Sequence, residues 1–187
     1  MENFAARHGE TVLAVADGCL RGDAADGSWF AAAPPLSVPY DGPADVGGFL
    51  EACAAPPDWG ILLVRKGGFA IARVSGTTIG DSKVGQRHVQ GRTKAGGQSQ
   101  QRFARRRDNQ ARAAYEAAAD HARRLLTGVP VLVVGGDRTA VDQVLDDLRR
   151  VVPAPVGDFL AVPDPRRGVL ESAVVTACSV RIEVDNA

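Results

Sequence analysis

Metal-site spacing is what this sequence most plainly lacks. Its three cysteines, Cys19, Cys53 and Cys178, stand far apart, with none of the CxxC spacing of a zinc site. Their apolar or small neighbours make them read as buried, reduced thiols. His8, His88 and His121 form no ligand pattern either, so neither a metal nor a cofactor is expected. No run approaches the roughly 18 apolar residues of a membrane span, and the opening MENFAARHGE holds no signal-peptide core. A cytoplasmic protein without a membrane partner is the expectation. No internal repeat is found.

Net charge is also missing. The 187 residues carry 22 basic against 22 acidic side chains, with 45% hydrophobic content, which suits a globular chain with a real core and not a polycation that coats nucleic acid. The charge is nevertheless uneven. Lys83, Arg87, Arg92, Lys94, Arg102, Arg105, Arg106, Arg107, Arg112, Arg123 and Arg124 are eleven of the 22 basic residues, opposed over that stretch only by Asp108, Glu116 and Asp120. Within it the sequence GRTKAGGQSQQRFARRR sets two glycines and an amide amid the positive charge. Positive charge invites phosphate, and glycine lets the backbone come close to a ligand.

The pattern along the chain alternates strands and helices. TVLAVADGCL and SWFAAA read as two short strands around an acidic, glycine-containing loop, followed by a proline-rich connector from Pro34 to Pro43. Val46, Phe49, Leu50 and Cys53 fall at helical spacing, with Pro43 suited to the helix start. WGILLVRKGGFAIARVSGTTIGDSKV predicts a three-stranded meander with a turn at Lys66-Gly67-Gly68 and a third strand running to about Val89. A helix is predicted over about 99–126, free of Gly and Pro, with Phe103, Ala111, Ala114, Ala118, Ala122 and Leu125 as a narrow apolar stripe. VPVLVVGG reads as a buried strand, DRTAVDQVLDDLRR as a helix, and APVGDFLAV as a short strand. Asp164-Pro165 opens another helix, and SVRIEV closes the chain as an alternating strand. The fold class is α/β, a mixed sheet flanked by helices.

Gly96-Gly97-Gln98 alone marks an ordinary turn before a helix. Joined to the arginines it says more, because a helix N-terminus offers free N–H groups and partial positive charge to an anionic partner. GGQSQQRFARRR, Gly96 to Arg107, closely resembles the GGQSxxRFxRxR signature of the peptide-releasing middle domain of eukaryotic and archaeal class-I release factors. The order meander, basic loop, long helix and VLVVGGDRTAVDQ also matches, from about Asp58 to Ala187. At 187 residues the chain is expected to lack the codon-reading and C-terminal domains of those factors. It is more similar to a stand-alone Vms-like release factor, of a bacterial and actinobacterial kind.

The resemblance implies a ribonuclease-H-like topology over 56–187, with 1–55 as an extension that completes or caps it. It implies hydrolysis of the peptidyl-tRNA ester on the large ribosomal subunit by a monomer, freeing nascent chains from obstructed ribosomes. Gly96, Gly97 and Gln98 would be the catalytic residues, the glutamine placing water through its N–H, its amide or both. Arg92, Lys94, Arg102, Arg105 and Arg106 would bind ribosomal or transfer RNA. Phe103 reads as an anchor in the core and not as a stacking platform. Two alternatives stay open at this point. One is a metal-dependent nuclease cutting the tRNA 3′ end, with Asp17, Asp81 and Asp137 as the available carboxylates. The other is a non-catalytic RNA-binding module.

Overall fold

The computed structural model describes residues 2–86 and 98–187, with side chains described for 3–85 and 111–187. The chain divides into two compact units, one made of residues 1–55 with 177–187 and the other of residues 56–176.

The first unit begins with a helix that periodicity does not reveal, α1 (Glu2–His8). Three strands follow, β1 (Thr11–Ala16), β2 (Cys19–Ala24) and β3 (Trp29–Ala33). TVLAVADGCL is therefore a hairpin and not one strand, and the acidic stretch after it is mostly the second strand. The reason is Asp17-Gly18: both residues have positive φ, 51° and 71°, as a two-residue turn between right-twisted strands requires. A short helix, α2 (Val46–Ala52), starts three residues later than Pro43 would place it, because the Asp45 carboxylate accepts from the Gly48 N–H at 2.8 Å and caps it.

The last strand, β8 (Arg181–Asp185), pairs antiparallel with β3, so the sheet order is β1-β2-β3-β8. Its end is held where the Ala187 N–H donates to the buried Ser28 hydroxyl at 3.0 Å. One face of this sheet buries Leu20, Phe30 and Ala32 with Tyr40 and Phe49. Edge-to-face contacts order the cluster, Phe4 on Phe30 at 5.1 Å and Tyr40 on Phe49 at 5.3 Å. The Tyr40 hydroxyl donates to the Pro43 carbonyl at 2.6 Å.

The second unit is built on β4 (Trp59–Arg65), β5 (Gly68–Ser75), β6 (Thr78–Gln86) and β7 (Leu132–Gly136), in the order β6-β5-β4-β7. The first three form the antiparallel meander, and β7 runs parallel to β4. The long helix α3 (Gln98–Leu126) supplies the crossover, and α4 (Arg138–Asp146) and α5 (Arg167–Ala177) follow β7. APVGDFLAV contributes only a single parallel bridge, Leu160 to Gly135.

Strand parity decides which residues meet. Leu62, Val64, Phe69, Ile71, Leu132 and Val134 share one face and pack against Ala118, Ala119, Ala122 and Leu126 of α3 and Ala140, Val141 and Val144 of α4. The alternate residues Ile61, Leu63, Ala70, Ala72 and Val133 are buried as well. On that side Arg167, at the start of α5, donates to Ser82 Oγ at 3.0 Å. Of the stripe read from sequence, Ala114, Ala118 and Ala122 are buried, and Ala111 and Leu125 half-buried; Leu126 is completely buried. Phe103 lies outside the residues whose side chains are described.

Polar ties finish the frame. Trp59 is fully buried, and its indole N–H donates to the Gly76 carbonyl at 2.8 Å. Arg73 forks onto Asp58 at 2.7 and 2.6 Å, which holds the Asp58 carboxyl below its ordinary range. Arg73 also reaches the Thr127 carbonyl, just beyond α3.

At the end of β7 two glycines admit neighbouring backbone. A Cβ on Gly135 would stand 2.5 Å from the Leu160 carbonyl oxygen, and one on Gly136, at φ 111°, only 2.1 Å from that of Val64. The Gly136 N–H donates to Leu160 at 2.9 Å and the Asp137 N–H to Val64 at 2.8 Å. Gly136→Ala is therefore expected to destabilise the protein by about 3 kcal/mol or more, because no flexible side chain can yield to the added methyl. Chemical denaturation of the two proteins checks this.

Candidate functional site

The site predicted from sequence lies between the end of β6 at Gln86 and the start of α3 at Gln98. Arg92, Lys94, Gly96 and Gly97 fall outside the described residues. Arg102, Arg105 and Arg106 lie on α3, where only the backbone is described, and their side-chain positions are likewise outside it. Gln98 is the first residue of α3. The first four N–H groups of a helix have no partner within the helix, and the end of the helix that bears them carries partial positive charge.

The foot of this segment is described. Gly85 pairs with Phe69 and Gln86 with Gly68, so β6 stays paired with β5 as far as Gln86. The Phe69 ring lies over Gly85, where a Cβ would come 2.4 Å from it. Phe69 also lies against His121 of α3, ring centroids 5.6 Å apart. Burial, with Arg124 and Lys83 nearby, lowers the His121 pKa below its ordinary value, Asp120 opposing, so the imidazole is neutral at neutral pH. Its Nδ1 pairs with the Arg124 guanidinium. One aromatic ring thus locks the strand that enters the site to the helix that leaves it. Sequence spacing gives no sign of Phe69, Gly85 and His121 as a group, because their meeting depends on strand register.

Not every basic residue of the stretch is free for a partner. Arg123 donates to Asp120 at 3.2 Å and to the Asp147 carbonyl at 3.0 Å, tying α3 to the end of α4. Lys83 and Arg112 are exposed.

The carboxylates do not assemble a metal centre. Asp17 sits in the β1–β2 turn of the first unit, Asp81 on β6 of the second, and Asp137 caps α4 by accepting from the Ala140 N–H at 3.1 Å. Among the described residues, no three His, Cys, Asp or Glu side chains gather to hold a metal ion. Nor, among them, is any helix long and apolar enough to cross a membrane.

The meander, the long helix leading from Gln98 and the β7–α4 junction occur in the order that the Gly-Gly-Gln resemblance implied, and a family comparison decides the matter. The family described as Actinobacteria/chloroflexi VLRF1 release factor matches residues 57–183. The chain belongs to that release-factor family. The match bears out the Vms-like, actinobacterial resemblance read from Gly96 to Arg107. No individual curated protein matches the chain. A release factor acts in translation, at the ribosome, and the matched span contains β4 to β7, α3 to α5 and most of β8.

Gly85→Ala is expected to push Phe69 off its seat and to cost about 1–3 kcal/mol, the usual range for overpacking a filled site. Thermal unfolding measures the loss, and the His121 proton resonances, no longer shifted by the ring, report its cause.

Proposed function

We propose that the chain hydrolyses peptidyl-tRNA on the large ribosomal subunit, in the cytoplasm, releasing nascent chains from stalled or obstructed ribosomes. The observation that carries this reading is the release-factor family match across residues 57–183, which encloses Gly96-Gly97-Gln98 where the long basic helix begins.

The reaction is addition of water to the ester carbonyl carbon, followed by departure of the 3′ oxygen of the terminal ribose, which takes up a proton. Gln98 has no titratable group and cannot be the base. Its part is placement: a backbone N–H at the open end of α3, with the side-chain amide, fixes the water or the developing oxyanion. Gly96 and Gly97 leave space for the backbone to approach the ester. Proton movement then belongs to the RNA and to water, so no histidine or carboxylate need stand beside Gln98. Arg92, Lys94, Arg102, Arg105 and Arg106 contact RNA phosphate. Metal-dependent cleavage of the tRNA end has no described carboxylate set in its favour.

Gln98→Ala should bind large subunits as the parent does and release peptide about 10²–10³-fold more slowly, the usual cost of one positioned donor. The transfer RNA recovered from the reaction should accept an amino acid again without repair. A shortened 3′ end overturns ester hydrolysis in favour of nuclease action, and full activity in the variant leaves Gln98 without the placing role given to it here.

Replacing Arg105 and Arg106 together by Ala should weaken ribosome binding and lower the slope of log affinity against log salt by about one for every phosphate no longer neutralised. A salt series on purified subunits checks this, and an unchanged slope removes that part of α3 from the interface.

A further inference from the structure

A cleft of about 350 Å³ opens in the second unit, away from Gln98, between the β4–β5 turn, α3 and the start of α4. Its walls include Lys66, Arg112, Tyr115, Asp137, Thr139 and Gln143. We propose that this cleft seats one unpaired nucleotide of RNA, base inward against Tyr115 and phosphate outward toward Lys66 and Arg112. The proposal rests on the reading that the chain works on ribosomal or transfer RNA.

Size comes first. The volume lies at the small end of the range for small-molecule pockets, roughly 300–1,000 Å³, and suits a single base with its sugar rather than a duplex groove. Chemistry narrows the choice. Tyr115 is half-buried and packs against the core cluster of α3, α4 and the sheet, so one ring face or edge is fixed in advance. Burial, and then Asp137, raise the Tyr115 pKa, which keeps its hydroxyl protonated and able to donate. Gln143 offers both a donor and an acceptor on an exposed turn of α4, as recognition of a base edge requires. Lys66 and Arg112 are exposed cations from two different elements.

Asp137 decides against simpler ligands. A bare phosphate, or an acidic side chain from a partner protein, would bring its charge against this carboxylate, which already serves α4 by accepting from Ala140. A nucleotide separates its charges. Its phosphate can stay with the two cations, while its amino and hydroxyl groups can donate to Asp137. Position agrees with this. Arg112 follows Gln98 by fourteen residues on one continuous helix, about 21 Å along the axis, and Arg105 precedes it by two helical turns. One strand of RNA following α3 would pass both Arg105 and the cleft.

The test uses the full chain without ribosomes and a fluorescein-labelled single-stranded oligoadenylate, with an RNA duplex of equal length and inorganic phosphate as comparisons. Fluorescence anisotropy should show the single strand binding more tightly than the duplex. Gln143→Ala and Thr139→Ala, both at exposed positions, should leave the thermal midpoint unchanged and weaken single-strand binding about fivefold or more. Tyr115→Ala should weaken it by about 5- to 150-fold, the range for removing one base–aromatic stack. With 4-thiouridine placed in the strand, ultraviolet crosslinks should map to peptides containing Lys66, Tyr115 or Gln143.

Equal binding of strand and duplex, unaltered affinity in Gln143→Ala, or crosslinks confined to 86–110 would each overturn the nucleotide seat. Displacement of the RNA by inorganic phosphate with full loss of the crosslinks would also overturn it, in favour of a plain anion site. No ester is present in the assay, so its outcome is separate from that of the Gln98→Ala release experiment.

Discussion

Everything in the second unit depends on β4 being buried on both faces and hydrogen-bonded along both edges. Ile61, Leu62 and Leu63 are completely inaccessible, with β5 antiparallel on one side and β7 parallel on the other. A strand in that position cannot carry polar side chains, and Ile61 to Val64 are all apolar, the unbroken run expected of a strand covered above and below. The parallel edge has a consequence for the site. Parallel neighbours need a long crossover, and α3 belongs to that crossover, so the same helix that closes the core begins at Gln98.

The two ends of α3 therefore carry different duties. From Ala114 onward its small residues let it lie close on the sheet, and Leu126 fills the space above Gly60, where a Cβ would come 2.7 Å from the leucine methyl. Arg123 ties that end to the Asp147 carbonyl, and Arg73 binds the Thr127 carbonyl just past it. At 29 residues, or about 44 Å, the helix is a lever whose C-terminal half is clamped in the core. On the strand side, Phe69 lies between Gly85 and His121 and joins the end of β6 to the same helix. Its neutral histidine adds no further charge to a stretch already crowded with arginine.

The remainder of the unit is joined by backbone approach more than by charge. Gly135 and Gly136 allow the carbonyls of Leu160 and Val64 to touch β7 directly, and the Asp137 N–H continues the ladder into α4. Most ion pairs lie at the surface, where each contributes little. Arg73 with Asp58 differs in joining a bidentate contact to a third bond onto a helix end, which makes it a structural brace.

Local rules on single residues read much of this chain without its fold. The meander, the long helix ending at Leu126, the buried β7 strand and the helix after it follow from apolar runs, Gly-containing turns and an interval without Gly or Pro. The motif from Gly96 to Arg107 points to the release-factor family because its residue types and spacing are specific in themselves. Short elements are harder to read. α1 has too few residues for a period to emerge, and β2 is hidden because Arg21, Gly22 and Asp23 look like a loop until the Asp17-Gly18 turn sets their register. Which strand β8 would join is also beyond sequence, since its alternation fits any open edge; pairing with β3 places it in the first sheet. The Phe69–Gly85–His121 lock and the Tyr115 cleft unite residues from three elements. Sequence determines which faces are apolar and where turns are possible, but only packing decides which of those faces meet, because contact between distant residues is a property of register and not of spacing.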